Sequence, residues 1–256
     1  MTPGPALPAA LRAAPVAHRG LHDRAAGRVE NSRAAVAAAA DAGYGVEIDL
    51  QLSADGEAMV FHDDTLDRLT AERGFVRERS AADLARIALT DGGETIPTLA
   101  DILALVGAGA PLLVEIKDQG GGFDPRGVGP LEARAAELLA AHPGPVAAMS
   151  FNPAAVAEIA RRAPRLPRGL VAGPPADFAG AARAEALSRL ADFDAVGAGF
   201  VSYRWSALPT PETAALRARG LPVLCWTVRS EVEERAARAA ADNVTFEGYA
   251  PARAAR

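Results

Sequence analysis

The sequence contains only one cysteine, Cys225, among its 256 residues. A single thiol excludes an internal disulfide and a zinc site built from several thiolates. Cys225 lies in the apolar run 223–226, where a small buried side chain is more common than a reactive nucleophile. We therefore interpret Cys225 as a structural residue.

The sequence also lacks a cluster of basic residues, and its formal net charge is -5. Proteins that bind duplex nucleic acid normally use a basic patch that displaces counterions from the phosphates. The arginines are instead spread among alanines in helix-like segments such as 181–190 and 231–240, which is typical of solvated outer faces. We therefore expect no nucleic-acid partner.

Long apolar runs are absent as well. No segment approaches the roughly 18 apolar residues that a membrane-spanning helix needs. Residues 1–14 lack a basic start followed by a continuous apolar stretch, so the sequence predicts no secretory signal. We expect no stable membrane anchor and a cytoplasmic location, and the sequence indicates no particular oligomeric state.

Half of the residues are hydrophobic and 23% are charged, a composition typical of a globular protein with a packed core. Short apolar runs alternate with alanine-rich segments of helical period, which is the pattern of parallel strands joined by crossover helices. The eight runs cover residues 16–18, 45–52, 112–116, 145–149, 169–172, 195–201, 222–226 and 243–246. An extra run, 58–61, follows the turn at 55–56 and suits either a hairpin-like extension or a loop edge.

Eight alternations in a chain of this length favour the α/β class and a single (β/α)8 TIM barrel. We predict an N-terminal extension over residues 1–15, the barrel domain over 16–249 and a C-terminal tail over 250–256. Helix starts are indicated at Ser32, Ser80 and Ser230, and helix ends at Gly43 and Gly220.

Acidic side chains gather where two predicted strands end. Alternate residues of a strand share a face, so Glu47 and Asp49 point the same way, as do Glu115 and Lys117. Catalytic groups of a TIM barrel collect at the carboxyl ends of its strands, so the three carboxylates are expected to converge. Hard oxygen ligands suit Mg²⁺ or Ca²⁺, and the sequence therefore predicts a site for one divalent cation.

Two histidines and two cations accompany the carboxylates. His18 and His62 belong to the residue type that titrates near neutrality, as an acid/base pair requires. Arg19 and Lys117 are suited to holding phosphate oxygens, arginine through its planar fork and lysine as a point charge. A metal site, an acid/base pair and an anion clamp together indicate phosphodiester chemistry.

Other candidates have simpler interpretations. His142 is interpreted as structural, and His22 lies in the first loop with no role assigned to it. Ser150 lacks the Gly-x-Ser-x-Gly pattern of a serine nucleophile. The glycines at 120–122 lack the Gly-Lys-Ser/Thr of a nucleotide-binding loop.

The ordered motifs of the chain resemble the glycerophosphodiester phosphodiesterase family over residues 16–249. The motifs are Val-Ala-His18-Arg19-Gly20, Glu30-Asn31-Ser32, Val-Glu47-Ile-Asp49-Leu, Ser-Ala-Asp55-Gly56, Phe-His62-Asp63, Ile96-Pro97-Thr98-Leu99, Val-Glu115-Ile-Lys117, Met149-Ser150-Phe151 and Cys225-Trp226-Thr227-Val228. Such an ordered set is far more specific than any single motif.

The resemblance implies a TIM-like barrel, one divalent cation, Mg²⁺ or Ca²⁺, and hydrolysis of a small glycerophosphodiester to sn-glycerol 3-phosphate and an alcohol. By position it implies Glu47, Asp49 and Glu115 as metal ligands, His18 and His62 as the acid/base pair, and Arg19 and Lys117 as phosphate contacts. It further implies a substrate pocket with Phe151 and Trp226 against the organic part and Glu30 and Asn31 as support from the first loop, although Trp226 also suits a plain core position.

The chain departs from the family pattern in three places. Val29 stands where the family commonly has proline, and the segment 65–111 is shorter than in many members. Thr245-Phe246-Glu247-Gly248-Tyr249 replaces the usual Thr-Asp or Thr-Asn step before a proline, so Glu247 and Tyr249 are candidates for altering substrate choice. The preferred alcohol group is left open.

Several alternatives stay open at this level. One is a phospholipase-like phosphodiesterase acting on lysophospholipids or inositol lipids, and another is a catalytically silent barrel that binds a phosphorylated ligand. The motifs do not distinguish which histidine is the base, nor attack by water from attack by a glycerol hydroxyl through a cyclic phosphate.

Overall fold

The computed structural model describes residues 4–178 and 180–252, and its centre is a closed barrel of parallel strands. The strands are β1 (Val16–Ala17), β2 (Gly45–Leu52), β4 (Leu112–Ile116), β5 (Val146–Ser150), β6 (Arg168–Ala172), β7 (Phe200–Arg204), β8 (Val223–Val228) and β9 (Asn243–Phe246), with β3 (Ala58–Val60) added outside the barrel. The first strand, β1, pairs in parallel with both β9 and β2, which closes the sheet. The expected (β/α)8 TIM barrel is confirmed.

The crossover segments surround the barrel with helices. They are α1 (Ala9–Ala13), α2 (Arg33–Asp41), α3 (Ala81–Leu84), α4 (Leu99–Val106), α5 (Pro130–Ala141), α6 (Pro153–Arg162), α7 (Ala184–Ser188), α8 (Pro211–Ala218) and α9 (Glu231–Arg238). At each predicted helix start, Ser32, Ser80 and Ser230, the serine hydroxyl accepts a hydrogen bond from a backbone amide in the first turn. These bonds satisfy amides that the helix itself leaves unpaired.

The structure decides between the two alternatives for one apolar run and corrects the prediction for another. The run 58–61 contributes β3, which pairs antiparallel with β2, so the hairpin-like alternative is the one observed. The run 195–201 was predicted to be a strand, but β7 covers Phe200–Arg204. Val196 and Ala198 are nevertheless buried in the core. These residues are hydrophobic because the loop before β7 packs into the core. Hydrophobic periodicity alone does not distinguish a buried loop from a strand.

The inside of the barrel has an apolar floor. Val16, Leu113, Ala147, Phe200 and Leu224 belong to one buried cluster contributed by alternate strand positions. Gly169 makes room for this layer, because a Cβ at that position would lie 2.5 Å from the ring of Phe200. Polar residues at the next inward positions therefore stand above a filled core.

The N-terminal segment packs under the same floor. Leu7 and Leu11 are buried in the floor cluster, and the Asn243 side-chain amide donates to the carbonyl oxygens of Leu11 and Ala14 at 2.8 and 2.7 Å. The domain bounds 1–15, 16–249 and 250–256 stay predictions, and residues 1–3 and 253–256 lie outside the described part. None of the helices described is long and apolar enough to cross a membrane.

Candidate active site

A cavity of about 320 Å³ opens at the carboxyl ends of the barrel strands. Its lining comprises His18, Arg19, Glu47, His62, Glu115, Lys117, Met149, Phe151, Val171, Arg204, Trp226, Thr227, Arg229 and Thr245. Both predicted acid/base residues and both predicted phosphate contacts are among them. Barrel closure thus brings residues from the two ends of the chain to one cavity.

Three buried carboxylates lie together beside this cavity. Glu47 and Asp49 are each 1% exposed and Glu115 is 7% exposed. One oxygen from each lies within 4.8 Å of the others, because Asp49 and Glu115 are register partners on β2 and β4. Burial, together with the charges of Asp49 and Glu115, raises the pKa of Glu47 well above its usual value. Such crowding of negative charge favours binding of a cation.

Lys117 is the ammonium group in direct contact with this cluster. Its Nζ lies 2.8 Å from Asp49 Oδ1 and 2.6 Å from Glu115 Oε1. Burial disfavours the ionised form of Asp49, but Lys117 and the other positive charges nearby together outweigh this effect and keep the pKa of Asp49 low. Burial still raises the pKa of Glu115, so one ammonium does not hold all three groups fully ionised. A donor set of three buried carboxylates with this deficit of positive charge fits a hard divalent cation.

The loop after β1 places Arg19 against the carboxylates. Arg19 has a left-handed backbone with φ of 55°, and its amide donates to Glu47 Oε2 at 2.9 Å. The next residue, Gly20, lies so close to α2 that a Cβ there would be 2.7 Å from the carbonyl carbon of Ala35. The chain can make this tight turn because Gly20 has no side chain.

Glu30 and Asn31, predicted as support in the substrate pocket, lie behind the cavity wall. Glu30 Oε1 accepts from the Arg19 guanidinium at 2.7 Å, and the Asn31 side-chain amide donates to Asp49 Oδ2 at 2.8 Å. Asn31 is 1% exposed and also has a left-handed backbone, with φ of 59°. Both residues contact predicted site residues from the first loop, and neither is among those that line the cavity.

His18 is held at one ring nitrogen by Glu247. His18 Nδ1 lies 2.6 Å from Glu247 Oε2, while Glu247 Oε1 accepts from Arg229 at 2.6 Å. Burial lowers the pKa of His18, although the Glu247 hydrogen bond opposes this effect. With Nδ1 engaged, Nε2 is the nitrogen that can meet a substrate in the cavity.

His62 has a matching arrangement. Its Nδ1 lies 2.6 Å from Asp63 Oδ1, and Arg68 donates to Asp63 Oδ2 at 2.6 Å and to Glu30 at 2.8 Å. Burial disfavours the ionised form of Asp63, but Arg68 and His62 outweigh it and lower the pKa of Asp63 to about 2. Burial lowers the pKa of His62 itself. Each histidine therefore has one nitrogen fixed by an ionised carboxylate.

The predicted pocket aromatics form one wall of the cavity. The rings of Phe151 and Trp226 meet edge to face, with centroids 5.5 Å apart. The Arg204 guanidinium lies 4.5 Å from the Trp226 ring centroid and pairs with Asp177 at 2.6 Å. Sequence reasoning missed Arg204, because the predicted strand ended three residues before it.

Other residues singled out in the sequence lie elsewhere. Tyr249 packs on Phe246 and hydrogen-bonds to Glu234 at 3.2 Å, and it is not among the residues lining the cavity. Ser150 is buried and donates to a backbone carbonyl. His142 lines a separate groove. The position of Glu247 after the last strand was the one signal that could have revealed its contact with His18.

The sequence of the chain is similar to those of known proteins. The model of the glycerophosphoryl diester phosphodiesterase family matches residues 18–246. A glycerophosphodiester phosphodiesterase of Bacillus subtilis (strain 168) is 29% identical over 73% of this chain and 68% of its own length. Another from Caldanaerobacter subterraneus is 36% identical over 36% of this chain and 40% of its own length.

Solved structures show the same fold. A phosphodiesterase of Oleispira antarctica, in complex with the product sn-glycerol-3-phosphate, superposes with a TM-score of 0.73 at 24% identity and covers 91% of each chain. A glycerophosphodiester phosphodiesterase of Thermotoga maritima has a TM-score of 0.70 at 22% identity, covering 91% of this chain and 94% of its own.

Proposed function

The chain belongs to the glycerophosphoryl diester phosphodiesterase family, and we propose that it hydrolyses glycerophosphodiesters with one divalent cation and with His18 and His62 as the acid/base pair. The observation that carries this proposal is the meeting of both imidazoles with the acidic cluster at a single cavity. Phosphodiester hydrolysis needs charge neutralisation, removal of a proton and protonation of the leaving oxygen. The cavity offers groups for all three.

Glu47, Asp49 and Glu115 would hold the cation, Mg²⁺ or Ca²⁺. Their burial, close spacing and oxygen donors support this assignment. When bound, such an ion supplies positive charge that stabilises the phosphoryl oxygens. Arg19 and Lys117 line the same cavity and would add charge-assisted contacts to the nonbridging oxygens. Lys117 would then exchange part of its contact with the carboxylates for contact with the substrate.

His18 and His62 would move protons at their Nε2 atoms. Glu247 and Asp63 each engage Nδ1, which fixes both the orientation and the tautomer of the ring. One neutral imidazole accepts the proton of the nucleophile, and the other, as imidazolium, protonates the leaving oxygen. Burial lowers the pKa of both rings, so the neutral form of the base is favoured near neutral pH, and the anionic substrate favours the charged acid.

Phe151 and Trp226 would contact the glycerol or alcohol portion, since their rings line the cavity beside the histidines. The Oleispira antarctica structure holds sn-glycerol-3-phosphate, a small molecule of the size that a cavity of about 320 Å³ accepts. We propose the same product for this chain, with a cytoplasmic location. The nucleophile is either water or the glycerol hydroxyl next to the phosphate. Phosphorus NMR during turnover distinguishes the two, because only attack by the hydroxyl forms a cyclic phosphate.

A substrate panel with each metal tests the proposal. Release of sn-glycerol 3-phosphate from water-soluble glycerophosphocholine, dependent on added Mg²⁺ or Ca²⁺, is the expected result. Faster turnover of micellar lysophospholipid would favour the phospholipase-like alternative. Ligand binding without turnover under either metal would favour a silent barrel.

A matched pair of variants tests the metal assignment. Glu47→Gln keeps the shape of the side chain but removes a charge, so we expect a loss of activity of about 100-fold or more. Glu132→Gln is the control, because Glu132 is also buried, at 2% exposed, but lies in the first turn of α5. A rise in melting temperature on adding Ca²⁺ should occur in wild type and Glu132→Gln and be reduced in Glu47→Gln. A fully active Glu47→Gln enzyme would refute the metal assignment.

A further inference from the structure

A second group of metal-binding side chains lies next to the acidic cluster. It consists of His18, His22 and Glu247, which each offer one ligand atom within 4.8 Å of the others. All three side chains are half-buried. His22 comes from the loop between β1 and α2, and Glu247 directly follows β9. Nothing in the proposed reaction uses His22.

The donor set differs from the acidic cluster in its chemistry. Two imidazoles and one carboxylate form a set that Zn²⁺ binds with water as a fourth ligand. Mg²⁺ and Ca²⁺ prefer oxygen donors alone, which is what Glu47, Asp49 and Glu115 provide. The two sites should therefore select different ions.

The carboxylate of Glu247 is already oriented for such a site. Its Oε2 atom lies 2.6 Å from His18 Nδ1 and 3.6 Å from His22 Nε2. Its Oε1 atom is held by the Arg229 guanidinium, with both contacts at 2.6 Å. One oxygen thus faces the imidazoles while the other is fixed by an outer partner, the arrangement that supports metal ligands in proteins.

We propose that His18, His22 and Glu247 form an inhibitory Zn²⁺ site that regulates the phosphodiesterase, an inference that rests on the acid/base role proposed for His18. Binding forms a bond between Zn²⁺ and His18 Nδ1 and displaces the proton from that nitrogen. In the neutral ring, solvent takes up this proton and returns one to Nε2, so the ring keeps its single proton. The imidazolium already carries a proton on Nε2 and releases the Nδ1 proton to solvent. An imidazole bound in this way cannot accept a further proton at Nε2, so proton exchange with the substrate stops.

Zinc titration of the magnesium-saturated enzyme tests the site directly. Calorimetry should show one Zn²⁺ bound per chain, and hydrolysis of glycerophosphocholine should fall over the same zinc concentrations. His22→Gln should weaken both binding and inhibition about tenfold or more, while its activity in zinc-free buffer stays within about twofold of wild type. His142→Gln is the control for loss of a histidine, since His142 lines a separate groove, and it should behave as wild type.

A further variant separates the two metal sites. Asp49→Asn disrupts the acidic cluster, and it should still bind one Zn²⁺ by calorimetry even where it is inactive. Equal zinc binding by wild type and His22→Gln, or loss of zinc binding in Asp49→Asn alone, would overturn the site. Zinc bound in a His22-dependent manner without loss of activity would overturn the inhibition and, with it, the role of His18, while leaving family membership and phosphodiesterase activity intact.

Discussion

At the scale of single residues, the two histidines contact carboxylates that the sequence motifs do not link to them. Glu247 and Asp63 each lie 2.6 Å from the Nδ1 atom of their histidine. A carboxylate at Nδ1 holds the ring in the tautomer that presents Nε2 to the substrate, and it stabilises the imidazolium formed during proton transfer. The proposed acid/base pair is therefore better described as two histidine–carboxylate pairs.

Glu247→Gln should show this dependence. The variant retains the size of the side chain but loses the charge, so we expect kcat to fall about 10- to 100-fold with little change in KM. The Glu247 hydrogen bond raises the pKa of His18, so its loss should move the His18 limb of the pH–rate profile to lower pH. Steady-state rates across pH in zinc-free buffer provide the measurement.

The control for this variant is Glu234→Gln, because Glu234 pairs with Arg238 and Tyr249 and is not among the residues lining the cavity. It should keep the wild-type pH profile. An unshifted profile and undiminished kcat in Glu247→Gln would show that the contact does not affect catalysis.

Cys225 gives a second prediction at this scale. Its side chain is fully buried, and burial raises the pKa of the thiol to about 12. The thiolate is the reactive form, so the native protein should not react with a disulfide reagent within the time that the unfolded protein needs to react fully. Absorbance of the released thiolate measures this, and rapid labelling of the native protein would contradict it.

At the scale of elements, Arg68 joins two loops that carry site residues. It contacts Glu30 in the loop after β1 and Asp63 in the loop after β3. Glu30 in turn pairs with Arg19, and Asp63 with His62. The predicted phosphate contact and one predicted acid/base residue are therefore positioned by the same guanidinium.

Arg68→Met should destabilise the protein in a pH-dependent way. Although burial opposes ionisation, Arg68 and Arg19 lower the pKa of Glu30 to about 2. A lowered carboxyl pKa stabilises the folded state above the unfolded value, near 4.5, and this contribution disappears as pH falls towards about 2. Since the Arg68 side chain is 44% exposed, solvent screening limits the loss at neutral pH to about 1 kcal/mol. Urea unfolding as a function of pH measures it.

The matched control is Arg73→Met, because the Arg73 side chain is 81% exposed and pairs with Asp67. Its effect should be within about 0.5 kcal/mol at every pH. A loss in Arg68→Met that stays constant down to pH 2 would mean that the two carboxylates do not contribute through their charge.

Elements of the barrel were largely predictable, whereas contacts between loops were not. Hydrophobic periodicity located the strands well where the residues that face the surrounding helices are apolar and buried, as in β2 and β4, and it failed at 195–199, where a loop is buried. The three carboxylates were predicted to converge because strand alternation and barrel geometry determine their direction. Contacts such as Glu247 with His18 depend on loop conformation and barrel closure, for which the sequence carries no periodic signal.

At the scale of the whole molecule, the closed barrel places the residues that line the cavity at one end and an apolar cluster that stabilises the fold at the other. His18 and Glu247 are 229 residues apart in the chain but share a hydrogen bond, because β1 and β9 are neighbours. Below the cavity, the floor cluster is apolar and includes Leu7 and Leu11 of the N-terminal segment. The carboxyl end of the barrel thus carries the polar groups, and the opposite end is closed by hydrophobic packing.

Leu11→Ala tests this separation. Leu11 is fully buried, so its truncation should lower the free energy of unfolding by about 3 kcal/mol through lost burial and a residual cavity. Well below the melting temperature kcat and KM should stay at wild-type values, because the cavity lining does not include the N-terminal segment. Leu105→Ala is the control, since Leu105 is 45% exposed and its loss should cost less than about 1 kcal/mol. A large fall in kcat for Leu11→Ala at a temperature where the protein is fully folded would contradict this separation. It would show that packing in the floor cluster affects the positions of the residues that line the cavity.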